Sequence, residues 1–169
     1  MTDTEALYQE IILEHNRKPR NFREMPDADR SIEGRNPLCG DALTLWLKFD
    51  DDRITDVSFK GQGCAISRAS ASLMTAAVKG KSRAEAEALF EKFHSLVTGH
   101  MPATEHAAMG SLRALGGVSR FPLRVKCASL AWHALHSALN ADAKAGADGG
   151  ADAVSTEREG PEAPPGEGA

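Results

Sequence analysis

No stretch of 18 or more apolar residues occurs in the 169-residue chain, so a transmembrane helix is not expected. The opening Met1-Thr2-Asp3-Thr4-Glu5 is acidic and lacks the basic region and apolar run of a secretory signal. Cysteines are few, three in all, and an odd number does not suit a disulfide framework. The thiols are therefore read as reduced groups of a cytoplasmic protein. Apolar residues run out near the C-terminus: from Ala141 to Ala169 the sole large one is Val154. Seven acids against two bases leave that stretch at net -5, and residues 1–140 at about +1 of the chain's overall -4. With Pro161, Pro164, Pro165 and several Gly and Ala, it cannot bury enough surface to offset its ordering entropy and reads as a disordered tail. The near-neutral remainder argues against a footprint for nucleic acid.

What is present points to one α+β domain over residues 1–140, a small antiparallel sheet packed against helices. Ala6, Leu7, Ile11, Ile12 and His15 recur on one face of a helix over residues 4–16, which Pro19 ends. A polar loop is expected from there to Asn36. Leu43, Leu45, Leu47 and Phe49 alternate with Thr44, Trp46 and Lys48, the period of a half-buried strand, and Asp50-Asp51-Asp52 turns it into a return strand from Ile54 to Lys60. A helix follows from Ala65 to Gly80. Ser82-Arg83-Ala84-Glu85 forms a capping box for another, reaching Val97. Residues 98–122 are looser, with a short helix over Glu105–Leu115, and Pro122 opens the last helix, banded by Val125, Ala128, Leu130, Ala131, Ala134, Leu135 and Ala138.

The three cysteines each lie at the edge of an element. Cys39 and Asp41 stand two apart in Asn36-Pro37-Leu38-Cys39-Gly40-Asp41, so in an extended segment their side chains share a face. Cys64 follows Gly61-Gln62-Gly63 where a strand meets a helix, and a helix N-terminus favours thiolate. Cys127 falls in the first turn of the last helix, on its inward stripe. Three thiols and a carboxylate suit tetrahedral Zn²⁺, with iron–sulfur chemistry as a rival. Spacing alone is a weak signal, since no C-x-x-C pair occurs, and three packed thiols explain it as well.

Taken together, the segment Asn36–Asp41, Gly61-Gln62-Gly63-Cys64-Ala65-Ile66-Ser67 and Arg124-Val125-Lys126-Cys127-Ala128 resemble the IscU/NifU-like iron–sulfur assembly family. So do Ala69-Ser70-Ala71-Ser72-Leu73-Met74 and the opening Leu7–His15; the resemblance runs from about residue 5 to 140. Scaffolds of the IscU type carry a histidine before the third cysteine, where this sequence has Lys126. They also carry a Leu-Pro-Pro-Val-Lys stretch for their chaperone, where this sequence has Arg120-Phe121-Pro122-Leu123-Arg124. The 62 residues between Cys64 and Cys127 exceed the IscU pattern. All three departures look like the SufU branch.

That resemblance implies a zinc-dependent sulfurtransferase, an activator of a desulfurase rather than a stand-alone enzyme. It would take persulfide sulfur from a SufS-type, pyridoxal-phosphate-dependent cysteine desulfurase and pass it to the SufBCD machinery. By the same resemblance Cys39 is the acceptor, and Cys39, Asp41, Cys64 and Cys127 form the metal set. A desulfurase histidine would replace Cys39 on zinc, with Arg124 assisting the exchange. Two alternatives remain beside it: a scaffold carrying iron or a transient [2Fe–2S] cluster on the same ligands, and a structural zinc module that only binds partners. His133 and His136 read as surface or partly buried residues, and His15 as a packing or docking residue. Trp46 and Trp132 read as core or interface anchors. Arg30, Arg35, Lys60, Arg120 and Lys126 could ring the site with positive charge or form an ordinary solvated face.

Overall fold

A computed structural model describes residues 3–37, 40–140 and 152–155. Helix α1 (Asp3–Arg17) leads into β1 (Arg30–Asn36), β2 (Asp41–Asp50) and β3 (Arg53–Gln62). Helices α2 (Ala65–Val78) and α3 (Arg83–Val97), a 3₁₀ segment (Ala103–Arg120) and α4 (Pro122–Asn140) follow, and β4 (Asp152–Ser155) closes the described chain. The sheet runs β3-β2-β1-β4, antiparallel across its first three strands, with β4 parallel to β1.

The hairpin of β2 and β3 follows the alternation of its sequence. Leu43, Leu45 and Leu47 are buried while Ala42, Thr44 and Trp46 are half-buried on the other face. Period-two alternation sends successive side chains to opposite faces, so one face becomes core. Asp51 takes the left-handed conformation in the turn, which Asp tolerates better than most residues. The register shifts between Lys48 and Phe49, beside that turn.

Against the leucine face lie the two most enclosed helices. Ser67 and the run Ala69–Thr75 of α2 are buried, as are Cys127–Trp132, Ala134, Leu135, Ala138 and Leu139 of α4. Small residues let these backbones approach. A Cβ on Gly34 of β1 would stand 3.2 Å from Leu130 Cδ1 of α4. Ser70 resolves the polarity of the contact: its Oγ donates to Ala128 O (2.5 Å) and accepts from Trp132 Nε1 (3.2 Å). Trp132 is fully buried and stacks on Phe93 of α3, with ring centroids 4.3 Å apart. The capping box of α3 is formed as the sequence predicts, Ser82 and Glu85 each bonding the other's backbone.

Four departures from the sequence reading concern elements or the faces they bury. Residues 30–36, expected as loop, form β1 and pair with β2 from Arg30–Leu47 to Asn36–Asp41. The 3₁₀ segment is longer than the expected short helix and breaks at Gly110, whose φ is 58°. Leu7, placed on the inner face of α1, is 57% exposed, while Ile11 and Ile12 pack on the core. Asp152–Ser155 is a strand within the stretch read as tail; residues 141–151 and 156–169 lie outside the described residues.

Candidate metal centre

The hairpin, the strand-to-helix junction and the last helix converge at one end of the sheet. Asp41 opens β2 and is 1% exposed. Its Oδ1 accepts a hydrogen bond from the backbone N–H of Cys64 (2.9 Å), which fixes the carboxylate against the entrance of α2. Gly63 makes that approach feasible, because a Cβ there would lie 2.6 Å from Asp41 Oδ1.

Cys64 is the N-cap of α2, with extended backbone angles, and its Sγ accepts from Ser67 N (3.4 Å). A sulfur in that place stands where Ser or Asp usually caps a helix, and it faces the positive end of the helix dipole. Its Sγ is 3.8 Å from Asp41 Oδ2. Cys127 is the sixth residue of α4, one turn deeper than the first-turn position expected from sequence, and is 1% exposed. Asn36, at the end of β1, donates from Nδ2 to Cys127 Sγ (3.8 Å). The buried Asn36 Oδ1 has no hydrogen-bond partner among the described residues.

One ligand atom each from Asp41, Cys64 and Cys127 lies within 4.8 Å of the other two. Tetrahedral zinc with bonds of about 2.0–2.3 Å places its ligand atoms roughly 3.3–3.8 Å apart, so a modest contraction closes the group on an ion. Two sulfurs and a carboxylate oxygen form a donor set suited to zinc or iron. A buried carboxylate beside two thiols is costly unless a cation neutralises it, and a metal ion would supply that charge. The three residues therefore fit a metal and leave a fourth position.

Cys39, expected as a further ligand, lies outside the described residues. Gly40, just before β2, has a φ of 70°, a conformation glycine adopts at little cost. Arg124 is exposed in the first turn of α4, three residues before Cys127, and Arg35 and Lys60 are exposed on the sheet. His15, by contrast, is 9% exposed and faces α2, where its Nδ1 pairs with Ser72 Oγ (2.7 Å). The residue that sequence reasoning missed is Asn36. In the sequence it stands only as part of the Cys39 motif, because no local signal marks β1 or brings it to α4.

These features describe a small α+β domain with a carboxylate–dithiol group able to hold a metal ion. The chain belongs to the NifU-like N-terminal domain family, whose model matches residues 7–144. The iron–sulfur cluster assembly scaffold protein IscU of Streptococcus pyogenes is 42% identical over 140 residues, covering 82% of this chain and 86% of that protein. The zinc-dependent sulfurtransferase SufU of Bacillus subtilis is 39% identical over 135 residues, covering 80% and 90%. A solved structure from Fervidobacterium islandicum AW-1, described as a candidate iron–sulfur cluster assembly scaffold protein for the SUF system, superposes with a TM-score of 0.74 at 33% identity. It covers 81% of this chain and 99% of its own. Among the described residues no helix is long and apolar enough to cross a membrane.

Proposed function

We propose that this protein is a zinc-dependent sulfurtransferase of iron–sulfur cluster assembly in the cytoplasm. In this reading it accepts persulfide sulfur from a SufS-type cysteine desulfurase and delivers it to the SufBCD machinery. The observation that carries the proposal is the convergence of Asp41, Cys64 and Cys127 within 4.8 Å, with Cys39 two residues before Asp41 in the sequence. The identity of 39% to a zinc-dependent sulfurtransferase supports it, as does Lys126 where IscU-type scaffolds carry histidine.

Asp41, Cys64 and Cys127 are the resident ligands and Cys39 the exchangeable fourth. Bound zinc would keep the thiols deprotonated without redox chemistry of its own. Asn36 and the Ser67 N–H hold the two resident sulfurs in place by hydrogen bonds. Cys39, two residues before Asp41 in the sequence, is the thiolate that attacks. It displaces the desulfurase cysteine from the terminal sulfur of its persulfide: one S–S bond breaks, another forms on Cys39, and the donor leaves as thiolate. No external oxidant or reductant is consumed. Arg124, three residues from Cys127 and exposed, is assigned to assist partner exchange at this surface. Pyridoxal phosphate belongs to the desulfurase.

The 42% identity to a scaffold protein favours a second reading, in which the same ligands carry a [2Fe–2S] cluster that is handed on. Metal analysis of protein purified without added metal, beside a desulfurase assay, separates the two. The sulfurtransferase reading expects about one zinc per chain, no iron, and stimulation that Cys39→Ala abolishes. Iron with acid-labile sulfide, and no stimulation, overturns it in favour of the scaffold.

A further inference from the structure

Strand β4 lies on the outer edge of β1, with Ile32 opposite Asp152 and Arg35 opposite Ser155. An uncovered strand edge presents a row of backbone donors and acceptors ready to pair with any extended segment. The sequence suits this segment to that place. Val154, the sole large apolar residue between Ala141 and Ala169, is opposite Gly34, which has no side chain. At Gly34 the strand comes close to α4: a Cβ would stand 3.2 Å from Leu130 Cδ1 and 3.7 Å from Ala134 Cβ. Eleven residues of Ala, Gly, Asp and Lys, 141–151, join β4 to the end of α4. At about 3.3 Å per residue they reach roughly 36 Å, and a short tether supplies an effective concentration in the millimolar range.

We propose that residues 152–155 are a displaceable edge strand that docks on β1 in cis and steadies the β1 end that supports the Asp41, Cys64 and Cys127 group. The coupling is short. Arg35 is the last residue of β1 paired with β4; the next, Asn36, pairs with Asp41 across the hairpin and donates to Cys127 Sγ. Fraying of β1 at that point loosens one carboxylate and one thiol together. Four residues in a parallel pairing make a weak strand, so it is one that an extended segment of a partner can replace. The inference rests on the backbone register and on Asn36, and holds whether the group carries zinc or a cluster.

The test uses the full chain with two sets of substitutions. The double variant Ala153→Pro, Val154→Pro removes a strand donor whichever of the two residues faces β1. Val154→Ser removes the apolar side chain alone. Native-state hydrogen exchange is read at the amides of residues 32–35 that do not bond β2, and alkylation of Cys127 by iodoacetamide is timed in metal-free protein. Both variants are expected to exchange these amides at least about fivefold faster, the equivalent of one net hydrogen bond, and to alkylate Cys127 faster by a similar factor. Amides between β2 and β3 should keep their protection, which separates strand release from unfolding. Unchanged exchange in β1 in both variants overturns the docked strand. Faster exchange with unchanged alkylation overturns its hold on the metal centre.

Discussion

Gly63 and His15 are single positions whose surroundings dictate what a substitution does. At Gly63 an added methyl would meet Asp41 Oδ1 at 2.6 Å, and the carboxylate can relieve that contact only by leaving its bond to Cys64 N. Gly63→Ala is therefore expected to weaken zinc binding by about 10- to 100-fold, as losing a residue that orients a ligand does. Competition against a chromogenic chelator measures it, and a far-ultraviolet circular dichroism spectrum like that of the parent would show that the fold survives. His15 is a matter of protons. Ser72 Oγ accepts from Arg20 N (2.7 Å) and also pairs with His15 Nδ1 (2.7 Å), so the imidazole is held against α2. Burial, and next the Arg20 charge, hold its pKa below the usual 6.5. Above 6.5 the ring is neutral in both folded and unfolded chains and costs nothing. As the pH falls below 6.5 the unfolded chain takes up a proton that the folded one refuses, so stability is lost over that window. His15→Asn keeps a polar group near Ser72 without titrating, and its melting temperature should fall less between pH 7 and pH 5 than that of the parent.

Among the elements, α2 and α4 matter most, because they bring Cys64 and Cys127 to the same place. Ser70 joins them through the carbonyl of Ala128 and the indole of Trp132, all inside the core. Ser70→Ala leaves a buried carbonyl and a buried N–H short of a partner, and is expected to cost about 1–3 kcal/mol in urea unfolding. A shallower dependence of thiol spacing on this contact would leave metal affinity unchanged; a joint loss of stability and affinity is the expected result. The elements also differ in how plainly the sequence announces them. The capping box at Ser82, the alternation of β2 and Pro122 at the start of α4 are local signals, and each marks an element that is present. Strand β1 has no such signal. In Arg30-Ser31-Ile32-Glu33-Gly34-Arg35-Asn36 only Ile32 is a large apolar residue, since α4 comes too close at Gly34 for another. Its pairing with β2 is what makes it a strand. The site follows the same rule: Cys64 at a strand-to-helix junction was legible, as was Cys127 on an inward stripe. Asn36 was not, because its partner is 91 residues away in the chain.

For the molecule as a whole, the donor residues lie at positions 41, 64 and 127, on three different elements. No such cluster can persist in an unfolded chain, so free energy of metal binding becomes free energy of folding. With free zinc at a thousandfold excess over its dissociation constant, the folded state gains about 4 kcal/mol. Calorimetry should show the melting temperature rising with zinc and falling with a chelator, and Cys127→Ala should abolish most of the difference. If it does not, that thiol lies outside the metal's ligands.

The same spacing also sets an order in time. During synthesis the hairpin and the start of α2 emerge from the ribosome first, bringing Asp41 and Cys64 together as a half-site that lacks Cys127. That last resident donor is made some sixty residues later, in a helix that must still dock against the sheet. At about 5–20 residues per second, the half-site waits several seconds before it can be completed. During that wait any metal it picks up is held without Cys127 and exchanges with the surrounding pool. Secure capture therefore coincides with the docking of α4, which makes the loaded metal a record that the last helix has arrived.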